Sequence, residues 1–194
     1  MNEKLFRLIN DVGKEHTFIN PVFVFVAEYT VIFLALAIII FWFTRLKQNR
    51  IMIICGSITF VIAEIAGKLA GTFHSNSQPF AELSNVNQLI EKAVDNSFPS
   101  DHTILFFSFC TTFLLFRGGK GLIWVLLAFL VGISRIGAGV HYPADIVAGA
   151  FISIVSAVLV FRIVPNMRVT QKLLGMYEKG ESSILSYKKD NYHG

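Results

Sequence analysis

Charge is what this chain has least of: 15% of its 194 residues are Asp, Glu, Lys or Arg, against 54% hydrophobic. Soluble domains carry about a quarter of their residues charged, so the composition excludes that class and points to a polytopic membrane protein. Cysteine is nearly missing as well. Cys55 and Cys110 both fall inside apolar runs, which argues against a structural disulfide, and no CxxC or Cys/His spacing suggests a metal centre. Neither a metal nor another cofactor is expected. The amino-terminal stretch MNEKLFRLINDVGKEH lacks the apolar core and small-residue cleavage site of a signal peptide. Its Leu5, Phe6, Leu8 and Ile9 suit a short interfacial helix that stays in the mature protein. There is no internal repeat, no low-complexity segment and no nucleotide-binding motif. The net charge of +4 is no nucleic-acid signal, because the basic residues lie in short connections between apolar runs, where topology signals belong.

What is there in quantity is apolar sequence of spanning length. Five candidate spans, each near the ~20 residues that cross a hydrocarbon core, are Val22 to Phe43, Ile51 to Phe73, Asp101 to Phe116, Gly121 to Val140 and Pro143 to Val164. The expected fold is all-α: a membrane bundle of five to six helices over residues 1–165, preceded by the interfacial helix and followed by a polar cytoplasmic tail, 166–194. Arg45, Lys47 and Arg50 fill the first connection, Arg117 and Lys120 the third, and Arg168, Lys172, Lys179, Lys188 and Lys189 lie in the tail. The positive-inside rule makes these segments cytoplasmic and the amino terminus external. The connection from His74 to Pro99 holds Lys92 as its one lysine, against Glu82, Glu91 and Asp95, and is placed outside.

This topology gathers the unusual polar residues at one membrane face. The third span starts there with PSDH, the fourth ends there with SRIGAGVH and the fifth starts there with YPAD. Ionisable groups at the edge of membrane spans are costly and usually mark function. Ser100 is placed to cap the third helix, whose free N–H groups make an anion seat; it reads equally as a cap or as a phosphate ligand. Asp101 and His102 follow in the first turn. Arg135 offers a permanently charged fork for phosphate. His141 stands in the next loop, and Asp145, four residues on, is positioned to turn back and fix its tautomer. Gly137 and Gly139 let the chain leave the fourth helix between Arg135 and His141. Together these groups make a phosphoryl-transfer site.

PSDH at Pro99 to His102 and SRIGAGVHYPAD at Ser134 to Asp145, which fits SRxxxxxHxxxD, resemble the second and third signature motifs of the type 2 phosphatidic acid phosphatase (PAP2) superfamily. The phrases AEY, FPSDHT and HYPAD are most similar to the bacterial undecaprenyl pyrophosphate phosphatases of the BcrC type, and the likeness runs to about Pro165. The resemblance implies that His141 attacks phosphorus to give a phosphohistidine, that Asp145 orients it, and that His102 protonates the leaving oxygen and later activates water. It places Arg135, Ser100, Asp101 and Ser134 around the phosphate, and implies chemistry without a metal. The first family motif, KxxxxxxRP, is depleted: GTFHSNSQPF keeps Pro79 but has Gly71 at the lysine position and Gln78 at the arginine position.

Lys68, one turn from Gly71, is a substitute cation or else an ion-pair partner of Glu64; Gln78 and His74 are candidate hydrogen-bond donors. Glu28 either lines the site or bonds a neighbouring helix. The expected partner is a lipid diphosphate in a bacterial cell membrane, hydrolysed at the extracytoplasmic face in competition with bacitracin, with no nucleic acid involved. Rival expectations are another PAP2 enzyme acting on phosphatidylglycerophosphate, phosphatidate or diacylglycerol diphosphate, and, from another class, a permease subunit for a peptide antibiotic.

Overall fold

The computed structural model describes the backbone of residues 1–192 and the side chains through Ser183. Among the described residues there is helix and no strand. Four stretches are long and apolar enough to cross a membrane: Thr17–Phe43, Lys47–Phe73, Asp101–Gly137 and Pro143–Asn166. Ahead of them lies α1 (Asn2–Asn10). We label the first stretch α2 (Thr17–Phe43) and the second α3 (Lys47–Phe73).

The third stretch is not one rod. It breaks at Gly118–Gly121 into α4 (Asp101–Arg117) and α5 (Leu122–Gly137). The two arms fold back on each other: the rings of Phe107 and Phe129 lie 5.0 Å apart, and those of Phe113 and Trp124 5.1 Å apart. An unbroken helix would hold the first pair roughly 33 Å apart. Glycine makes the reversal possible at two points. Gly118 has φ of 59°, and a Cβ on Gly121 would meet the Leu114 Cα at 2.4 Å. With α6 (Pro143–Ile163) the four apolar stretches give five long rods among the described residues.

α4 is the central rod, packed on α3, α5 and α6. It is apolar on nearly every side, as a helix surrounded by protein must be; Ile104, Phe106, Phe107, Phe109 and Phe113 are all buried. The outer helices instead turn Phe33, Ile40, Leu126, Val147 and Phe151 outward, an exposure that lipid tails accept.

The amino-terminal helix and the described part of the tail are both tied to this bundle. On α1, Phe6 is buried and meets the Tyr142 ring edge-on at 5.6 Å, whereas Leu5 and Leu8 are exposed. Asn10 Nδ2 donates to the carbonyls of Asn87 and Gly137, each at 2.9 Å. The apolar residues of α1 therefore divide between the protein and the outside, and the helix braces the ends of α5 and α6. The polar tail is likewise no loose segment. It forms α7 (Arg168–Tyr192), whose Leu174 is buried beside Cys55 and Val160. Arg50, with a side chain only 1% exposed, reaches Glu178 at 3.4 Å and Glu181 at 2.6 Å and lies against the Trp42 and Tyr177 rings.

Candidate active site

The starts of α4 and α6, the end of α5 and the loop before α4 meet at one end of the bundle. The Ser100 N–H donates to the Asp145 carbonyl at 3.3 Å and stitches the two helix starts together. The Ser100 hydroxyl is buried and accepts from Thr103 N–H at 3.5 Å, so in the free protein it serves as the cap of α4. Asp101 is exposed in the first turn, and His102 beside it is part-buried. His102 shares the first turn of α4 with Ser100, whose N–H bonds the Asp145 carbonyl, so it stands at the same end of the bundle as Arg135 and His141.

His141 is held from behind. Its Nδ1 lies 3.0 Å from the Ser97 carbonyl oxygen, 3.1 Å from the Ser97 hydroxyl and 3.5 Å from Asp145 Oδ2. A carbonyl can only accept, so Nδ1 carries the proton and Nε2 keeps its lone pair. Asp145 acts mainly through intermediaries. Its Oδ2 accepts from the Ser97 hydroxyl at 2.6 Å and from the Tyr142 N–H at 2.8 Å, closing a capping box at the start of α6. The expected direct grip of Asp145 on the imidazole is thus supplemented by Ser97, which stands between them. Burial, first of all, holds the His141 imidazole below its ordinary range; the Asp145 carboxylate opposes this, and the positive charges of Arg135 and Lys92 add to it.

Arg135 is enclosed at the end of α5, and its Nη1 bonds Glu28 Oε1 at 2.9 Å. Glu28 comes from Phe25–Tyr29, a π-helical turn inside α2, the kind of irregularity that often accompanies functional residues. Of the two expectations for Glu28, the bond to a neighbouring helix is the one realised, and it reaches the site through Arg135. The Arg135 Nε is buried without a partner, as is Asp145 Oδ1. Ser134 is buried one residue earlier.

The remaining sequence candidates lie elsewhere. Lys68 is 76% exposed and its ammonium stands 3.7 Å from Glu64. It lines a cavity of about 240 Å³ with Gly71, Asn96, Pro99 and Asp101, and neither imidazole is among those walls. Gln78 is fully buried. Its Oε1 accepts from Asp95 N–H at 3.1 Å and its Nε2 donates to the Asp95 carboxylate. With its oxygen and one N–H engaged by Asp95, the amide positions the loop. The His74 ring packs edge-on against Phe98 at 4.8 Å.

Two residues of this region escaped the motif reading, Ser97 and Lys92. Ser97 directly precedes FPSDH in the sequence, and that adjacency was the available signal.

The PAP2 superfamily model matches residues 72–168. A Bacillus licheniformis protein named "Bacitracin transport permease protein BcrC" is 52% identical over 97% of this chain and 93% of its own length. "Undecaprenyl-diphosphatase BcrC" of Bacillus subtilis (strain 168) is 30% identical over 87% of this chain and 86% of its own. Among solved structures, Aquifex aeolicus LpxE superposes with a TM-score of 0.67 at 30% identity, covering 83% of this chain and 94% of that one.

Proposed function

The chain belongs to the PAP2 superfamily, and from that premise we propose that it hydrolyses undecaprenyl diphosphate to undecaprenyl phosphate and inorganic phosphate. The observation that carries the reading is the pinned imidazole: a His141 whose Nδ1–H is committed to the Ser97 carbonyl presents Nε2 as a nucleophile. In the reaction Nε2 bonds to the terminal phosphorus as the bond from that phosphorus to the bridging oxygen breaks. His102 gives the departing lipid phosphate its proton. It then takes a proton from the water that hydrolyses the phosphohistidine, which releases inorganic phosphate and restores both imidazoles. Arg135 holds phosphoryl oxygens, and Glu28 keeps the guanidinium turned toward them. Ser100, Asp101 and Ser134 complete the surroundings through the first turn of α4 and the end of α5.

The basic connections Arg45 to Arg50 and Arg117 to Lys120 support, by the positive-inside rule, a site on the extracytoplasmic side with the amino terminus outside and the tail inside. A phosphate bound there sits at headgroup level while its hydrocarbon stays in the bilayer, which favours a lipid phosphate over a soluble one. By binding the same diphosphate as bacitracin, the enzyme confers resistance to the drug.

One observation favours a second reading: the relative at 52% identity is named a transport permease. Phosphate release by purified protein separates the two. His141→Ala is expected to lose about a thousandfold or more in turnover. If that variant kept its phosphatase activity while bacitracin resistance vanished, transport would be the better account. A preference for phosphatidate over the polyprenyl diphosphate would reject the substrate assignment and leave the reaction class standing.

A further inference from the structure

Gly71 and Gln78 occupy the positions where the first family motif has its two cations. Arg135 is then the single arginine of the matched motifs, and part of its charge is answered by Glu28. A diphosphate brings several negative charges, so one shared guanidinium leaves the site short of positive charge.

The loop before α4 offers a remedy. Leu89 donates its N–H to the Ala138 carbonyl at 3.1 Å, and Ser97 receives the His141 Nδ1–H at 3.0 Å. The segment between these pins therefore forms an arch over the loop that carries His141. Gln78 stiffens the arch by gripping Asp95 at both its N–H and its carboxylate. Asp95 in turn stands 3.5 Å from the ammonium of Lys92. Lysines almost always extend into water, yet the Lys92 side chain is only 25% exposed although it lies outside the spans. It is turned inward, and its charge acts on both His102 and His141.

We propose that Lys92 supplies the positive charge missing from the first motif, its ammonium binding phosphate oxygens of the substrate together with Arg135. Gln78, at the arginine position, serves by holding the arch through Asp95. The Lys92 contact to Asp95 is long and Asp95 is 58% exposed, so exchanging that carboxylate for a phosphate costs little. This assignment rests on the phosphatase reading and deepens it.

The test measures phosphate release from undecaprenyl diphosphate in detergent micelles, with inorganic phosphate as competitive inhibitor, for Lys92→Met, Lys92→Arg, Lys68→Met and His141→Ala. Lys92→Met is expected to raise both KM and the phosphate Ki about tenfold or more, the loss of one charge-assisted hydrogen bond. kcat changes less, and Lys92→Arg restores most of the affinity. Lys68→Met changes KM less than about threefold, as a mostly exposed ion pair allows. Lys92→Gln replaces the methionine variant should the latter fail to fold. A KM and Ki within twofold of wild type in a folded Lys92 variant overturns the assignment, and so does an equal loss in Lys68→Met. An inactive His141→Ala beside an unaffected Lys92→Met removes this inference alone, whereas an active His141→Ala removes the phosphatase reading.

Discussion

Replacing Ser97 by alanine takes one oxygen from behind His141, the proposed nucleophile, and asks how far the imidazole depends on it. The hydroxyl donates to Asp145 Oδ2 at 2.6 Å and lies 3.1 Å from His141 Nδ1. The carbonyl contact at 3.0 Å belongs to the backbone and survives the substitution, so the tautomer survives too. What is lost is the relay to the carboxylate. Asp145 is buried and its Oδ1 already lacks a partner, so Ser97→Ala leaves it the Tyr142 N–H and the longer 3.5 Å contact with His141 Nδ1. A hydrogen bond to a buried charge is worth about 1.5–3 kcal/mol. At about 1.4 kcal/mol per factor of ten, kcat should fall roughly ten- to hundredfold. KM should hardly move, because the hydroxyl is buried away from any substrate. The assay is phosphate release against undecaprenyl diphosphate concentration, with a detergent melting curve to show that the variant is folded. A folded Ser97→Ala with kcat within twofold of wild type would refute the relay.

Two further outcomes follow from the geometry. Burial holds the His141 imidazole below its ordinary value of 6.5, so its neutral, nucleophilic form persists under mildly acid conditions. Activity that needs the neutral ring is present above the folded-state pKa and lost as pH falls through it; the acid limb of kcat/KM should therefore have its midpoint below pH 6.5, and a midpoint at or above that value contradicts the assignment. At the turn between α4 and α5, a Cβ on Gly121 meets the Leu114 Cα at 2.4 Å and the Phe113 carbonyl oxygen at 2.8 Å, whereas one on Gly118 meets nothing within 4 Å. Gly118→Ala meets no clash and should cost the ~1–3 kcal/mol of a side chain in a backbone region open essentially to glycine, here φ 59° and ψ −142°. Gly121→Ala must push two helices apart and should lower the melting temperature in detergent several times further; equal shifts would disprove close packing there.

The spans and the clustered motif residues were legible in the sequence for separate reasons. Hydropathy marks helices because every backbone group in lipid must be satisfied locally, and the break after Phe116 was visible in its glycines and basic residues. His102, Arg135, His141 and Asp145 could be grouped because short motifs at helix ends fix which face each residue occupies. Ser97 and Lys92 lie instead in a connection without periodicity, whose path depends on distant anchors such as Asn10, Gln78 and Ala138. No local rule specifies which loop carbonyl will meet an imidazole 44 positions away. The same holds for Arg50, whose acidic partners come from the other end of the chain, and for Gln78, whose side chain proved to be engaged by its own loop. Glu28 could be marked as unusual, but its partner required the packing of α2 on α5.

The hairpin of α4 and α5 also sets a height. Arms of 17 and 16 residues rise roughly 25 Å each, a few Å less than the ~30 Å depth of a typical hydrocarbon core. Of the two arms α5 faces the lipid, with Leu126, Phe129 and Leu130 exposed; lipids answer a short wall by thinning beside it, so the headgroup plane dips toward the end of α5. In the proposed reaction a phosphate travelling with its hydrocarbon anchor would then reach the imidazoles by sideways drift, without the lipid being lifted from its leaflet.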